Sequence, residues 1–134
     1  MCFLIREDYT AEEDMVCFKV LKIEEDGTIR SPYFHKKWEL GREEVQKLNS
    51  GKVTHHGSSG ESVIERYTID GLYTCVDKKS AKLLLRVIKS RTNVKLRIFK
   101  CVIPKGSKYF IGLDELELCS EKLIIKRQLI FNLI

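Results

Sequence analysis

The sequence is poor in the features that mark membrane and metal-binding proteins. It has two prolines, one tryptophan and three histidines in 134 residues, and it contains no Cys-x-x-Cys pair from which a zinc site is usually built. No apolar run reaches the roughly 18 residues that a membrane span needs. The apolar segment 123–134 is interrupted by lysine, arginine, glutamine and asparagine. We therefore predict no metal site and no membrane association.

The ends and the cysteines favour a cytoplasmic location. The first residues lack a basic lead and turn acidic at Glu7 and Asp8, which is unlike a secretory signal. The cysteines are odd in number and lie far apart among apolar residues, at Cys2, Cys17, Cys75, Cys101 and Cys119. This usage is typical of reduced core thiols and not of a disulfide framework.

The common catalytic motifs are also missing. The sequence has no Gly-x-x-x-x-Gly-Lys phosphate loop, no Gly-x-Gly-x-x-Gly, no His-Glu-x-x-His and no Gly-x-Ser-x-Gly. These absences exclude many enzyme classes. What is present is the balance of a folded protein, with 43% hydrophobic and 32% charged residues. The length predicts a single domain over residues 1–134.

Periodicity predicts one main helix over residues 78–90. Asp77 is a good N-cap, and apolar residues recur with helical spacing at Ala81, Leu84, Leu85 and Ile88. Strands are predicted at 16–23, 63–69, 72–75, 94–103, 109–111 and from residue 123 onwards. Residues 42–49 are compatible with two helical turns, and the glycine- and serine-rich residues 50–62 predict a mobile loop.

Alternation along two strands predicts which side chains share a face. In the strand 94–103, one face is expected to carry Val94, Leu96, Ile98 and Val102, and the other Lys95, Arg97, Phe99 and Cys101. In the last strand, one side is expected to carry Leu123, Ile125, Leu129 and Phe131. The fold class is therefore α+β, with a curved, largely antiparallel sheet and one main helix.

Charge is strongly segregated along the chain. From Lys78 to Lys108 there are eleven lysines and arginines and no acidic residue, whereas the N-terminal part is rich in acidic residues. This segregation indicates an anionic partner such as a nucleotide or a nucleic acid. The candidate ligand-binding residues are Lys79, Lys82, Lys95 and Arg97, the last two expected beside Phe99. The alternative is a solvated basic face without a partner.

Three further residues carry chemistry that a nucleotide site uses. His56 adjoins the glycine- and serine-rich stretch, where an imidazole can bond a ribose, and Tyr73 has a ring able to stack on a base or nicotinamide. Glu121 begins the last strand, where a carboxylate can bind a ribose hydroxyl or stabilise a cationic sugar. The alternatives are a solvated loop histidine, a core tyrosine and a surface glutamate.

Two resemblances extend these observations. Most of the chain resembles small proteins of gut bacteria and their phages, which carry no activity to transfer. The segments concerned are 16–21, 31–33, 39–41, 71–75, 101–109 and 120–125. More distantly, three segments resemble the motifs of ADP-ribosyltransferases of the His-Tyr-Glu type, in the right order: His56-Gly57-Ser58, Gly71-Leu72-Tyr73-Thr74-Cys75 and Ser120-Glu121-Lys122-Leu123-Ile124-Ile125.

The transferase resemblance implies a split, curved sheet around NAD. It would assign His56 to the adenosine-side ribose, Tyr73 to stacking on nicotinamide, and Glu121 to the nicotinamide ribose and activation of the acceptor. In that case Tyr73 and Glu121 are catalytic and NAD is the cofactor.

Three functions therefore stay open. The first is a non-catalytic, phage-related binding protein for an anionic nucleotide-like ligand, which would sequester a host signal or block a host protein. The second is a small mono-ADP-ribosyltransferase or NAD-cleaving enzyme. The third is a protein-binding or structural virion module.

Overall fold

The computed structural model describes residues 3–33, 35–56, 62–112 and 114–130. Within them the chain forms twelve strands and one helix. In chain order these are β1 (Phe3–Thr10), β2 (Met15–Ile23), β3 (Ile29–Arg30), β4 (Lys37–Trp38), β5 (Glu43–Val45), β6 (Asn49–His56), β7 (Ser62–Asp70), β8 (Leu72–Cys75), α1 (Lys78–Arg91), β9 (Leu96–Ile103), β10 (Lys108–Gly112), β11 (Glu117–Ser120) and β12 (Lys122–Gln128).

The strands form one sheet, and all pairings between named strands are antiparallel. The strand order is β5-β12-β9-β2-β8-β11-β10-β1-β7-β6, and β3 and β4 continue from β2. This arrangement confirms the predicted α+β class with a largely antiparallel sheet and one helix. No helix among the described residues is long and apolar enough to cross a membrane.

A one-residue connection shows that the sheet curves strongly. β11 ends at Ser120 and β12 begins at Lys122, yet β8, β2 and β9 lie between these two strands in the sheet. In a flat sheet they would be roughly 19 Å apart, because neighbouring strands are about 4.8 Å apart. The two peptide units through Glu121 span at most about 7 Å. The strands from β12 to β11 therefore curl round until these two ends meet.

Ser120 holds this corner together. Its side chain is fully buried, and its Oγ donates to the carbonyl of Lys122 at 2.9 Å. The backbone of Glu121 is also tied on both sides, since its N–H donates to the Lys108 carbonyl and its own carbonyl accepts from the Gln46 N–H. The corner thus has its polar backbone groups paired, as closure of the sheet requires.

The core has two main parts, one on each side of this curled sheet. The inner cluster joins side chains from β12, β9, β2, β8 and β11, including Cys17, Leu21, Phe99, Cys101, Ile103, Leu118, Leu123 and Ile125. The outer cluster packs α1 against the sheet through Ala81 and Ile88, with Leu84 and Leu85 beside them. The apolar face predicted for the helix is therefore confirmed.

The structure overturns two predictions in the middle of the chain. Residues 42–49 contain β5 and the start of β6 in place of helical turns. Residues 50–56, predicted as a mobile loop, continue β6, which pairs with β7 in continuous register from Ser50 to His56 after a shift at Asn49. The prediction failed because it did not consider pairing with another strand. Gly51 fits in β6 because the ring of its cross-strand partner Tyr67 packs against its backbone. Residues 57–61 lie outside the described residues.

Two predicted faces also need correction. Leu129 packs in the outer cluster although Leu123 and Ile125 are in the inner one, because the pairing of β12 with β9 shifts by one residue after Ile125. Phe131 lies outside the described residues. Phe99 is 1% exposed, so its ring cannot serve as a ligand surface beside Lys95 and Arg97.

Gly71, at the turn between β7 and β8, is a position where no other residue fits. Its φ is +154°, and a Cβ there would lie 2.2 Å from Cys119 Sγ and 2.8 Å from Leu48 Cδ2. Gly27 also has a positive φ, of +87°, but a Cβ there would meet nothing within 4 Å. A side chain at Gly71 would therefore meet both steric clash and backbone strain, whereas one at Gly27 would meet backbone strain alone.

We expect Gly71→Ala to lower the free energy of unfolding by roughly 3 kcal/mol or more, because clash adds to backbone strain. Gly27→Ala should cost only about 1 kcal/mol, from its left-handed backbone alone. Urea unfolding of both variants measures the difference. Equal losses would contradict the packing of Cys119 against this turn.

Candidate functional site

Helix α1 positions the basic residues of the candidate site. Its N-cap is Asp77, as predicted, and the Asp77 carboxylate accepts the Ser80 N–H at 2.7 Å. This hydrogen bond holds the pKa of Asp77 below its usual value. Because the apolar face of α1 packs on β2, β8 and β9, the opposite face is left to solvent.

That opposite face forms a basic stripe, which we define as Lys79, Lys82, Arg86 and Lys89. All four side chains are exposed, and their spacing of three and four residues places them along one side of the helix. From Lys79 to Lys89 the stripe is about 15 Å long, at 1.5 Å per residue. α1 contains no acidic residue, so nothing on the helix itself neutralises the stripe.

Ion pairing is concentrated elsewhere in the molecule. Five salt bridges join side chains between Lys22 and Glu44. Within the described part of the chain, Lys79, Arg86, Lys89 and Arg97 form no such bridge. The positive charge of these four residues is thus available to an anion.

A shallow cleft lies where the end of α1 meets the start of β9 and the end of β12. Its volume is about 380 Å³, and it is lined by Leu85, Lys89, Leu96, Arg97, Gln128, Leu129 and Ile130. The leucines provide an apolar floor, while Lys89 and Arg97 supply two cations and Gln128 an amide. Arg97 is half-buried, and its guanidinium is oriented by a 2.7 Å hydrogen bond to the Leu96 carbonyl.

No family model, no curated protein and no solved structure matches this chain. The site is therefore interpreted from its own residues.

The structure brings together only some of the predicted ligand-binding residues. Arg97 lines the cleft, and Lys95 is exposed just before β9 begins. Lys79 and Lys82 lie on the same helix as the cleft residue Lys89, towards its other end. Of these four predicted residues, Arg97 is thus the one that lines the cleft.

Tyr73 occupies a packed position on β8. Its hydroxyl donates to the Thr68 carbonyl at 2.7 Å, and its ring packs beside Phe110, Cys119 and Leu48. Burial raises the pKa of Tyr73, and the neighbouring Cys119 raises it further. The residue is half-buried, so its contacts favour a structural role.

Glu121 and His56 are not placed with Tyr73 in a three-residue site. Glu121 lies in the one-residue turn after β11, and Cys119 of that strand lies directly opposite Tyr73 on β8. His56 ends β6, opposite Ser62. Ser62 is six residues along β7 from Thr68, or roughly 20 Å. Tyr73 contacts the Thr68 end of that strand. The side chain of His56 lies outside the described part.

A half-buried cation carried no signal in the sequence. Lys19 shares the inward face of β2 with Cys17 and Leu21; its Nζ donates to the Tyr73 carbonyl and lies 5.2 Å from the centre of the Trp38 ring. Burial lowers the pKa of Lys19. Among the described residues, no group of three or more His, Cys, Asp or Glu is placed to hold a metal ion.

Three residues of the cleft were also missed. Lys89 belongs to the basic segment but was not among the candidate ligand-binding residues, although its spacing from Lys82 places both on one face of the helix. Gln128 and Leu129 had no local signal, because the shift in register after Ile125 that brings them to the cleft is a tertiary feature.

Two lysines on α1 should have opposite effects on stability. Lys79 lies in the first turn, where a positive charge opposes the helix dipole, whereas Lys89 lies in the last turn, where it is favourable. We expect Lys79→Glu to raise the free energy of unfolding by roughly 0.5 kcal/mol and Lys89→Glu to lower it by a similar amount. Thermal unfolding at low ionic strength measures both.

If Lys79→Glu lowered the free energy of unfolding as much as Lys89→Glu, the positive charge of Lys79 would stabilise the folded state. The expected gain would instead show that a positive charge is kept there against the preference of the helix.

Proposed function

We propose that this protein is a non-catalytic binding protein for an anionic, nucleotide-like ligand. The observation that carries the proposal is the cleft, in which Lys89 and Arg97 lie over an apolar floor without a carboxylate partner among the described residues. A phosphate would bind the two cations, with charge-assisted hydrogen bonds from the fixed Arg97 guanidinium.

The rest of the cleft suits the remaining parts of a nucleotide. Leu85, Leu96 and Leu129 offer a surface for the apolar faces of a base or sugar. The Gln128 amide has both a donor and an acceptor for the polar edge of a base. A volume of about 380 Å³ is in the size range of small-ligand sites.

The residues of the cleft support binding more than catalysis. In the described part of the chain, the residues lining it include no aspartate, glutamate, histidine, cysteine or serine. A general acid, a general base and a nucleophile are usually drawn from these residue types. The cleft therefore has groups that hold a ligand, and lysine is the one residue type in its described lining that could also move a proton or attack a bond.

The basic stripe extends the site for longer ligands. A mononucleotide in the cleft would reach Lys89 and Arg97, whereas a longer polyanion would also reach Arg86, Lys82 and Lys79 along the helix. Each phosphate neutralised by a cation releases counterions, so a longer ligand should show a steeper dependence on salt.

The transferase hypothesis has less support. Tyr73 is on β8 and Glu121 directly follows the neighbouring strand β11, which is compatible with it, but the Tyr73 hydroxyl already donates a hydrogen bond to the Thr68 carbonyl and its ring is packed. Under that hypothesis NAD would be consumed and Glu121→Gln would abolish turnover. Our proposal expects no release of nicotinamide by either protein.

We expect Arg97→Glu to weaken binding of the tightest ligand by roughly tenfold to a hundredfold, because a charged hydrogen bond is replaced by repulsion. The ligands tested would be ADP-ribose, NAD, a cyclic dinucleotide and a short single-stranded oligonucleotide, by calorimetry. Lys79→Glu should weaken only the oligonucleotide, since only a long ligand reaches it.

The matched control is Lys47→Glu, which makes the same change of net charge at an exposed position between β5 and β6. Its effect should be within about twofold, because salt screens distant charges. Equal losses of affinity in Lys47→Glu and Arg97→Glu would mean that binding depends on net charge and not on the cleft. No binding by any of the four ligands would end the proposal.

A further inference from the structure

Two cysteines face each other at the centre of the sheet. In the antiparallel pairing of β2 with β9, Cys17 is directly opposite Cys101. Opposite residues in such a pair have Cα atoms about 4.5 or 5.5 Å apart. Disulfides span Cα distances of about 4.4 to 6.8 Å, so both spacings are within range.

No other described cysteine has this arrangement. Cys75 lies opposite Glu117 on one side and Phe18 on the other. Cys119 lies opposite Tyr73 and Phe110. All four thiols are free and buried, so the register alone distinguishes the first pair from the remaining combinations.

The surroundings of the pair favour reaction at Cys17. A hydrogen bond with the Cys101 thiol lowers the pKa of Cys17, and the positive charge of Lys19 adds to this effect. The same hydrogen bond, together with burial, raises the pKa of Cys101. In the closed pair, Cys17 is therefore the thiol whose thiolate form is favoured.

We propose that Cys17 and Cys101 form a redox-modification site, in which a small-molecule disulfide such as oxidised glutathione converts the two thiols into a cross-strand disulfide. β2 and β9 are also the strands on which α1 packs. The bond would hold β2 and β9 together beneath the helix. This inference does not depend on the ligand proposed for the cleft.

The reaction balances as thiol–disulfide exchange. The Cys17 thiolate attacks one sulfur of oxidised glutathione, which forms a mixed disulfide and releases one glutathione thiolate. The Cys101 thiolate then attacks Cys17 Sγ and displaces the second glutathione. The protein loses two protons and two electrons, and one oxidised glutathione becomes two reduced ones. Because both cysteines are 0% exposed, the first attack requires transient opening of the β2–β9 pair.

The test is to incubate the purified chain with oxidised glutathione, in buffer and in urea below the unfolding midpoint. Free thiols are then alkylated and the unreduced peptides mapped by mass spectrometry. We expect the protein mass to fall by two hydrogens, with a linked peptide pair containing Cys17 and Cys101. The melting temperature should rise by several degrees, because the bond closes a long loop.

Two variants serve as controls. Cys101→Ser should give no intramolecular bond, whereas the double variant Cys75→Ser, Cys119→Ser should still form the Cys17–Cys101 bond and keep the rise in melting temperature. Linkage of Cys17 to other cysteines, glutathione adducts without ring closure, or unchanged thiols in both buffers would each overturn the proposal.

Discussion

The pairing of β2 with β9 is the constraint on which the rest of the structure depends. The two strands are in register over eight residue pairs, from Met15 opposite Ile103 to Lys22 opposite Leu96. Both faces of this pair are covered, by the inner cluster on one side and by α1 on the other. The ladder therefore fixes where the basic helix lies relative to Arg97, and it also places Cys17 opposite Cys101.

Curvature of the sheet is the second organising feature, and it is set at one residue. Because Glu121 alone joins β11 to β12, the intervening strands must curl, and buried Ser120 bonds across the corner. At the neighbouring turn, the Cys119 side chain packs directly against the backbone of Gly71. Glu121 thus has a structural role in its backbone, whatever its carboxylate contributes. The cleft is at another edge, where α1, β9 and β12 meet.

Local patterns predicted the helix, its N-cap and half of the twelve strands. The helix was predictable because Asp77 and the apolar spacing of α1 act over short distances. They failed at residues 42–56, where pairing with β7 and β12 outweighs the glycine and serine content. They also failed at Leu129, since a shift in register cannot be read from alternation. For the site, composition identified the basic segment, but only the fold shows that Lys89 and Arg97 share a cleft with Gln128.

The most direct test of the account is an NMR titration of the isotope-labelled protein with inorganic pyrophosphate. The account predicts saturable shifts in the amides of residues 85–97 and 128–130, and loss of these shifts in Arg97→Glu while the remaining spectrum stays folded. Saturable shifts centred on residues 35–56, or no saturable shifts at low salt, would contradict the claim that the cleft between α1, β9 and β12 is an anion-binding site.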